Sequence, residues 1–174
     1  AALAQYVHQN RDNLRRTVAG FPGAAAISKD DFWRLEAEVL VPAALGGEID
    51  GGVAEHLQVK VVAEGANGPT TLEGDRVLAE RGIDVIPDIL ANSGGVTVSY
   101  YEWLQNQRVE HWTEQEVVSR LERAIKSNYA IIRDIAAGRP QRTELHDSRP
   151  FCLGRPVDTR AAAMVLALKR IEAH

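Results

Sequence analysis

Three short apolar runs alternating with helical periodicity predict an α/β fold: half of a doubly wound parallel sheet, three strands with flanking and carboxyl-terminal helices. The runs are Val39-Leu40-Val41, residues 59–63 with Lys60 inside, and residues 83–86 with Asp84 inside. They are rich in β-branched residues, which suit a pleated, buried surface. A strand–helix–strand–helix–strand order gives parallel strands joined by right-handed crossovers.

Each element has its own signal. Leu3, Tyr6, Val7, Leu14 and Val18 recur at roughly helical spacing, predicting an opening helix. With no initiator Met and nothing ahead of Ala1 to cap that helix, the expectation is a start partway through a larger protein. Gly20, Pro22 and Gly23 predict a loop over 19–26. Ser28 with Asp31 three residues on predicts a helix start, followed by a short helix over 32–35. Residues 52–57 form a short crossover helix. Residues 72–80 form a clear one, with Thr70 and Glu73 as its expected capping box and Gly82 as its stop. Residues 94–106 read as a helix. Thr113 and Glu116 predict a second capping box, opening a long helix that stops near Gly138. Its stripe of Val117, Leu121, Ile125, Tyr129 and Ile132 reads as core packing. Residues 139–156 hold three prolines and read as an irregular connection, after which Asp158 caps a last helix over 159–171.

Composition narrows the classes of function. The chain has 174 residues, 45% of them apolar, enough for a domain with a core. A net charge of −4 argues against nucleic acid, whose binders carry basic patches; the Arg15–Arg16 pair reads as a solvated helix face. No apolar run approaches the ~20 residues of a membrane span, and no secretory pattern opens the chain. The single cysteine, Cys152, has no internal disulfide partner and reads as a bystander thiol in a reducing compartment. A cytoplasmic protein is expected. His8, His56, His111, His146 and His174 have no metal-ligand spacing, so no metal is expected.

The segments after the strands carry the functional signal. Pro42-Ala43-Ala44 comes after the first, Glu64-Gly65-Ala66-Asn67-Gly68-Pro69 after the second, and Pro87-Asp88-Ile89-Leu90-Ala91-Asn92-Ser93-Gly94-Gly95 after the third. Open parallel sheets bind ligands at the carboxyl ends of their strands. Small residues let backbone approach a flat ligand, and Asn supplies both a donor and an acceptor. One such loop would be ordinary turn chemistry; three successive strand ends predict a binding edge.

The same residues, Leu40-Val41-Pro42-Ala43-Ala44-Leu45, Val62-Ala63-Glu64-Gly65-Ala66-Asn67-Gly68-Pro69-Thr70-Thr71, and the run from Val85-Ile86-Pro87 through Gly94-Gly95-Val96-Thr97-Val98-Ser99-Tyr100-Tyr101-Glu102-Trp103, resemble the glutamate dehydrogenase family almost unbroken over 39–106. The resemblance implies the carboxyl-terminal portion of a Rossmann-like dinucleotide-binding domain, with residues 1–106 as its βαβαβ half and 107–174 as a helical segment. It implies NAD or NADP as cofactor, and oxidative deamination of glutamate to 2-oxoglutarate and ammonia. It places Pro42, Ala43 and Ala44 near the ribose. Gly65 and Ala66 would line the cofactor site, and Asn67 and Asn92 would reach its nicotinamide half, with Asn92 bonding the carboxamide. Gly94 and Gly95 would let the next helix start close to the ligands, Val96 would pack on substrate, and Ser99 would donate to its side-chain carboxylate.

The resemblance assigns the catalytic lysine and aspartate to a separate amino-terminal domain, and the phosphate-binding glycine turn to the other half of the cofactor domain. No matching motif occurs in these 174 residues, so the chain alone is expected to be inactive. The 139–156 link is longer than the family's usual connection. The parent enzyme is expected to be a homo-hexamer, and the isolated chain to self-associate along the apolar 39–41 edge. Rival readings are a branched-chain or aromatic amino-acid dehydrogenase, whose apolar pocket suits Ser99 poorly, and a non-catalytic nucleotide-binding half-domain.

Overall fold

The computed structural model describes residues 2–9, 18, 20–140 and 153–172. Leu14, Arg15, Arg16, His146, Cys152 and His174 lie outside the described residues, as do residues 141–152 of the 139–156 link. The chain divides into two compact units, residues 1–35 and 36–174.

The first unit contains α1 (Ala2–Gln9) and α2 (Lys29–Trp33). Val18, expected on the opening helical stripe, lies outside any helix, and the turn glycines Gly20 and Gly23 follow it at positive φ. Tyr6 and Phe21 meet edge to face at 5.3 Å. Ser28 accepts a hydrogen bond from the Asp31 backbone N–H at 3.0 Å. That cap makes Lys29 the first helical residue, so the helix begins and ends earlier than the expected 32–35.

The second unit is built on three parallel strands, β1 (Val39–Leu40), β2 (Val61–Ala63) and β3 (Asp84–Ile86), in the order β1-β2-β3. Leu40 pairs with Val62, and Val62 with Val85. The crossovers are α3 (Gly51–His56) and α4 (Leu72–Glu80). Beyond β3 come α5 (Asp88–Ala91), α6 (Gly94–Arg108), α7 (Glu114–Ala136) and α8 (Thr159–Glu172). Ile49, Ala54, Leu57, Val62 and Leu78 are fully or almost fully buried. A second cluster joins Leu90 to Ile132 and Ile135 of α7 and to Ala162, Ala163 and Leu166 of α8. The α7 stripe is therefore buried only at its carboxyl-terminal end; Val117, Leu121, Ile125 and Tyr129 are half-buried.

Local chemistry sets the helix ends. The expected Thr70–Glu73 box is not formed: Thr71 is the cap and accepts from Gly74 N–H at 3.1 Å. Thr70 is held extended by a parallel bridge to Ile49, so the next residue is the first free to cap. Gly74 is required there, because a Cβ would stand 2.4 Å from the Ile49 carbonyl oxygen. Arg81, past the end of α4, donates to the Ala54 carbonyl and, at 2.7 Å, to that of Leu57, satisfying carbonyls at the end of α3. Val109 ends α6 at φ 55°, the one non-glycine residue at positive φ among the described residues.

The two sheet edges differ. Along β3, Thr159 donates to the Val85 carbonyl at 2.6 Å and Arg133 pairs with Asp84 at 2.9 Å. Along β1, Val39 and Val41 are 52% and 57% exposed.

The α7 capping box is complete. The Glu116 carboxylate accepts from Thr113 N–H at 2.7 Å, and the Thr113 hydroxyl accepts from Glu116 N–H at 3.3 Å. The hydrogen bonds from the Thr113 backbone and then its side chain hold the Glu116 carboxyl below its ordinary range. A depressed carboxyl stabilises the fold above its unfolded value of about 4.3, and that contribution is lost as pH falls through the folded value. We predict that Thr113→Ala lowers stability by about 1 kcal/mol at neutral pH. The stability gap between wild type and Glu116→Gln should narrow below about pH 4. Denaturant titrations at neutral and acid pH check both; a gap independent of pH would contradict the assignment.

Candidate functional site

The carboxyl ends of the three strands converge through backbone contacts. Ala66 N–H donates to the Pro42 carbonyl at 2.8 Å, tying the end of β2 to the end of β1. A Cβ on Gly65 would lie 3.1 Å from the Ala43 Cβ, so glycine lets the turn pass close over the first strand's end without crowding it. Gly47 N–H reaches the Gly68 carbonyl at 2.8 Å, and a Cβ on Gly46 would crowd the Asn67 carbonyl at 3.1 Å.

Onto this frame α5 brings the third strand's loop. Asn92, its carboxyl-terminal cap residue, donates Nδ2 to Asn67 Oδ1 at 2.7 Å and to the Ala66 carbonyl at 3.4 Å. An amide has two donors and one acceptor oxygen, so the pairing leaves the Asn67 amide nitrogen and the Asn92 amide oxygen as polar groups for a ligand. A cavity of about 600 Å³ lies here, lined by Ala44, Leu45, Gly46, Gly65, Ala66, Asn67, Asn92 and Val96.

The structure thus gathers Ala44, Gly65, Ala66, Asn67, Asn92 and Val96 into one cavity. Pro42 and Ala43 support the Gly65–Ala66 turn from the neighbouring strand end. Gly94 and Gly95 open α6, and a Cβ on Gly95 would meet nothing within 4 Å. Val96 is 70% exposed. Ser99 is exposed one turn further along α6, and i,i+3 spacing puts it on the same helix face as Val96.

Beneath the cavity lies a charged cluster that sequence reasoning missed. Arg160, on α8, donates Nη2 to Glu64 Oε1 at 2.8 Å, Nε to Asp75 Oδ2 at 2.6 Å, and Nη1 to Asp88 Oδ1 at 3.2 Å. Glu64 is fully buried. Burial disfavours the guanidinium charge, but the hydrogen bonds it donates to Asp75 and Glu64 outweigh it and raise the Arg160 pKa above its ordinary value. The partners stand 96, 85 and 72 residues away, so no local spacing could have announced the cluster.

A larger cleft of about 900 Å³ lies between α4, α7 and α8 beside β3. It contains none of the predicted site residues, and its four arginines are all paired: Arg76 with Glu80, Arg133 with Asp84, Arg139 with Asp134, and Arg160 with Glu64, Asp75 and Asp88. The smaller cavity has the unused amide groups and the close backbone, and is the better site. Among the described residues no group of three or more His, Cys, Asp or Glu side chains could hold a metal ion, and no helix is long and apolar enough to cross a membrane.

Comparison with known proteins gives the family and the fold. The model of the Glutamate/Leucine/Phenylalanine/Valine dehydrogenase family matches residues 2–173. The NAD-specific glutamate dehydrogenase of Peptoniphilus asaccharolyticus is 53% identical over 120 residues, covering 67% of this chain and 28% of that protein. That of Clostridioides difficile is 52% identical over 124 residues, covering 71% of this chain and 28% of that protein. The chain therefore spans well under half the length of these relatives. Among solved structures, the hetero-hexameric glutamate dehydrogenase of Thermus thermophilus matches with a TM-score of 0.75 at 29% identity, covering 98% of this chain and 36% of that one. The Peptoniphilus asaccharolyticus enzyme matches at 0.64 and 43% identity, covering 76% and 29%. With a match running nearly end to end, the chain belongs to the glutamate, leucine, phenylalanine and valine dehydrogenase family.

Proposed function

We propose that the chain forms the nicotinamide-side wall and part of the substrate pocket of an NAD-dependent glutamate dehydrogenase. The observation that carries this reading is the Asn67–Asn92 amide pair, 2.7 Å apart at the converging ends of parallel strands. NAD rather than NADP is favoured by two relatives above half identity that are named NAD-specific. Glutamate is favoured over leucine, phenylalanine or valine by the same names and by the hydroxyl of Ser99.

The site suits the cofactor's flat, amide-bearing half. A Cβ at Gly65 would crowd the Ala43 Cβ, and one at Gly46 the Asn67 carbonyl, each at 3.1 Å, and the cavity lining joins small residues to the Asn67 and Asn92 amides. A bound nicotinamide dinucleotide would supply the hydride acceptor for oxidation at the substrate Cα. Asn92 would accept through Oδ1 from the carboxamide N–H, its own Nδ2 being held by Asn67. Pro42, Ala43 and Ala44 would border the ribose, and Gly65, Ala66 and Asn67 the nicotinamide side. Gly94 and Gly95 would bring the start of α6 against the ligands, Val96 would exclude water beside the substrate, and Ser99 would donate to the glutamate side-chain carboxylate. The product imine would be hydrolysed to 2-oxoglutarate and ammonia. A homo-hexameric, cytoplasmic enzyme is the proposed setting; the Thermus thermophilus neighbour is hetero-hexameric.

The test is a substrate profile of the full gene product with NAD. Glutamate should be oxidised with a kcat/KM at least about a hundredfold above that for leucine or phenylalanine, a ratio that a buried polar contact can supply. Preference for leucine would overturn the reading in favour of an apolar pocket. A hydrogen bond to a charged group contributes about 1.5–3 kcal/mol. Ser99→Ala should therefore cut kcat/KM for glutamate roughly ten- to a hundredfold and leave norvaline nearly unaffected. Equal losses on both substrates would remove Ser99 from the carboxylate.

The 174 residues expressed alone are proposed to be inactive, the catalytic lysine and aspartate lying elsewhere, and to self-associate along β1. An exposed apolar edge strand templates pairing with another chain, and Val39 and Val41 are more than half exposed. Light scattering should find dimers or larger species. A monodisperse monomer would refute the association, and glutamate turnover by these residues would refute the inactivity.

A further inference from the structure

We propose that Arg160 is a positioning residue for nicotinamide binding: by bridging Glu64 and Asp88 it fixes the two strand-end turns that carry Asn67 and Asn92. The proposal rests on the reading of the strand-end cavity as the nicotinamide site.

Arg160 does not line that cavity, so any action on the ligand passes through other residues, and the path is explicit. Glu64 immediately precedes the Gly65–Gly68 turn. Its Oε1 accepts from Arg160 Nη2 at 2.8 Å, and its Oε2 accepts from the Asp88 backbone N–H at 2.8 Å. Asp88 opens α5, the single turn that ends at Asn92. Its Oδ1 accepts from Arg160 Nη1 at 3.2 Å, and its Oδ2 accepts from the Gly68 backbone N–H at 2.8 Å. Gly68 follows Asn67 directly. Both amides therefore hang from one guanidinium, each through a carboxylate that also grips a backbone N–H in the opposite turn. Asp75, on α4, holds the guanidinium in plane with bonds of 2.6 and 3.0 Å.

The chemistry requires arginine. A planar fork with five fixed N–H donors can serve three carboxylates at once, whereas a lysine ammonium is a point charge on a flexible stem. Lysine at 160 would still balance the buried Glu64 charge but would release the fork's hold on the turns.

The test is Arg160→Lys in the full gene product. KM for NAD should rise about tenfold, equivalent to ~1.4 kcal/mol, with kcat changed less than about threefold, the pattern of lost ground-state binding. Backbone hydrogen exchange should accelerate in residues 64–68 and 88–92 and not elsewhere in the sheet. Thr113→Ala, which weakens the fold at the distant α7 cap, should leave KM for NAD unchanged and so separates positioning from general destabilisation. If Arg160→Lys does not fold, Asp88→Asn provides the second variant, since it keeps one acceptor oxygen where two are used; the same changes are expected. An unaltered KM for NAD in a folded variant, or a rise matched by Thr113→Ala, would overturn the proposal. If wild type does not oxidise glutamate with NAD, the functional reading fails, and hydrogen exchange still decides this one: acceleration confined to the two turns supports it, and uniform or absent change overturns it.

Discussion

A fully buried carboxylate at the end of β2 is the constraint on which the site's architecture depends. Removing Glu64 from water is unfavourable unless its charge is matched and both oxygens are bonded, and the chain meets both demands with Arg160 and the Asp88 backbone N–H. Breaking such a pair by removing one partner costs about 3–5 kcal/mol, whereas replacing a whole ion cluster with apolar residues is often neutral. The cluster is therefore poor evidence of stability as such. Its contribution is geometric: Glu64 and Asp88 each hold a backbone N–H of a turn, so an apolar substitute would leave those donors unpaired and the turns free to drift.

This explains how a cavity floored with small residues keeps a defined shape. Glycine and alanine permit close approach but supply no side chains to lock one another. Here order comes from crossed backbone contacts at Pro42–Ala66 and Gly47–Gly68 and from carboxylates beneath. The amide pair above then has one arrangement, with Asn92 Nδ2 on Asn67 Oδ1.

The three strands, their order and the helices around them were legible because each signal is local. β-Branched runs marked 39–41, 59–63 and 83–86, and the Thr113–Glu116 spacing marked the start of α7. The convergence of the three strand ends was legible because all of them carry Ala, Gly or Asn. Errors arose where tertiary contacts override local rules. Thr70 has the capping spacing, yet its bridge to Ile49 hands the cap to Thr71. Gly74 could be read as a weak helix residue, but the Ile49 carbonyl leaves no room for anything larger. Arg160 was invisible because its partners come from three distant segments. Its mark in the sequence is an arginine in the first turn of an alanine-rich helix, a pattern that any solvated residue could produce.

The 96-residue separation between Glu64 and Arg160 also bears on how the domain assembles. β2 and β3 are joined by a short crossover and can pair early, while closing the much longer loop to α8 carries a larger entropic cost. Until α8 docks, Glu64 has no countercharge and is best accommodated in water, which keeps the end of β2 open. Maturation of the cavity is thereby coupled to docking of the last helix, so the strand-end turns acquire their final shape only in a chain whose α8 has closed over them.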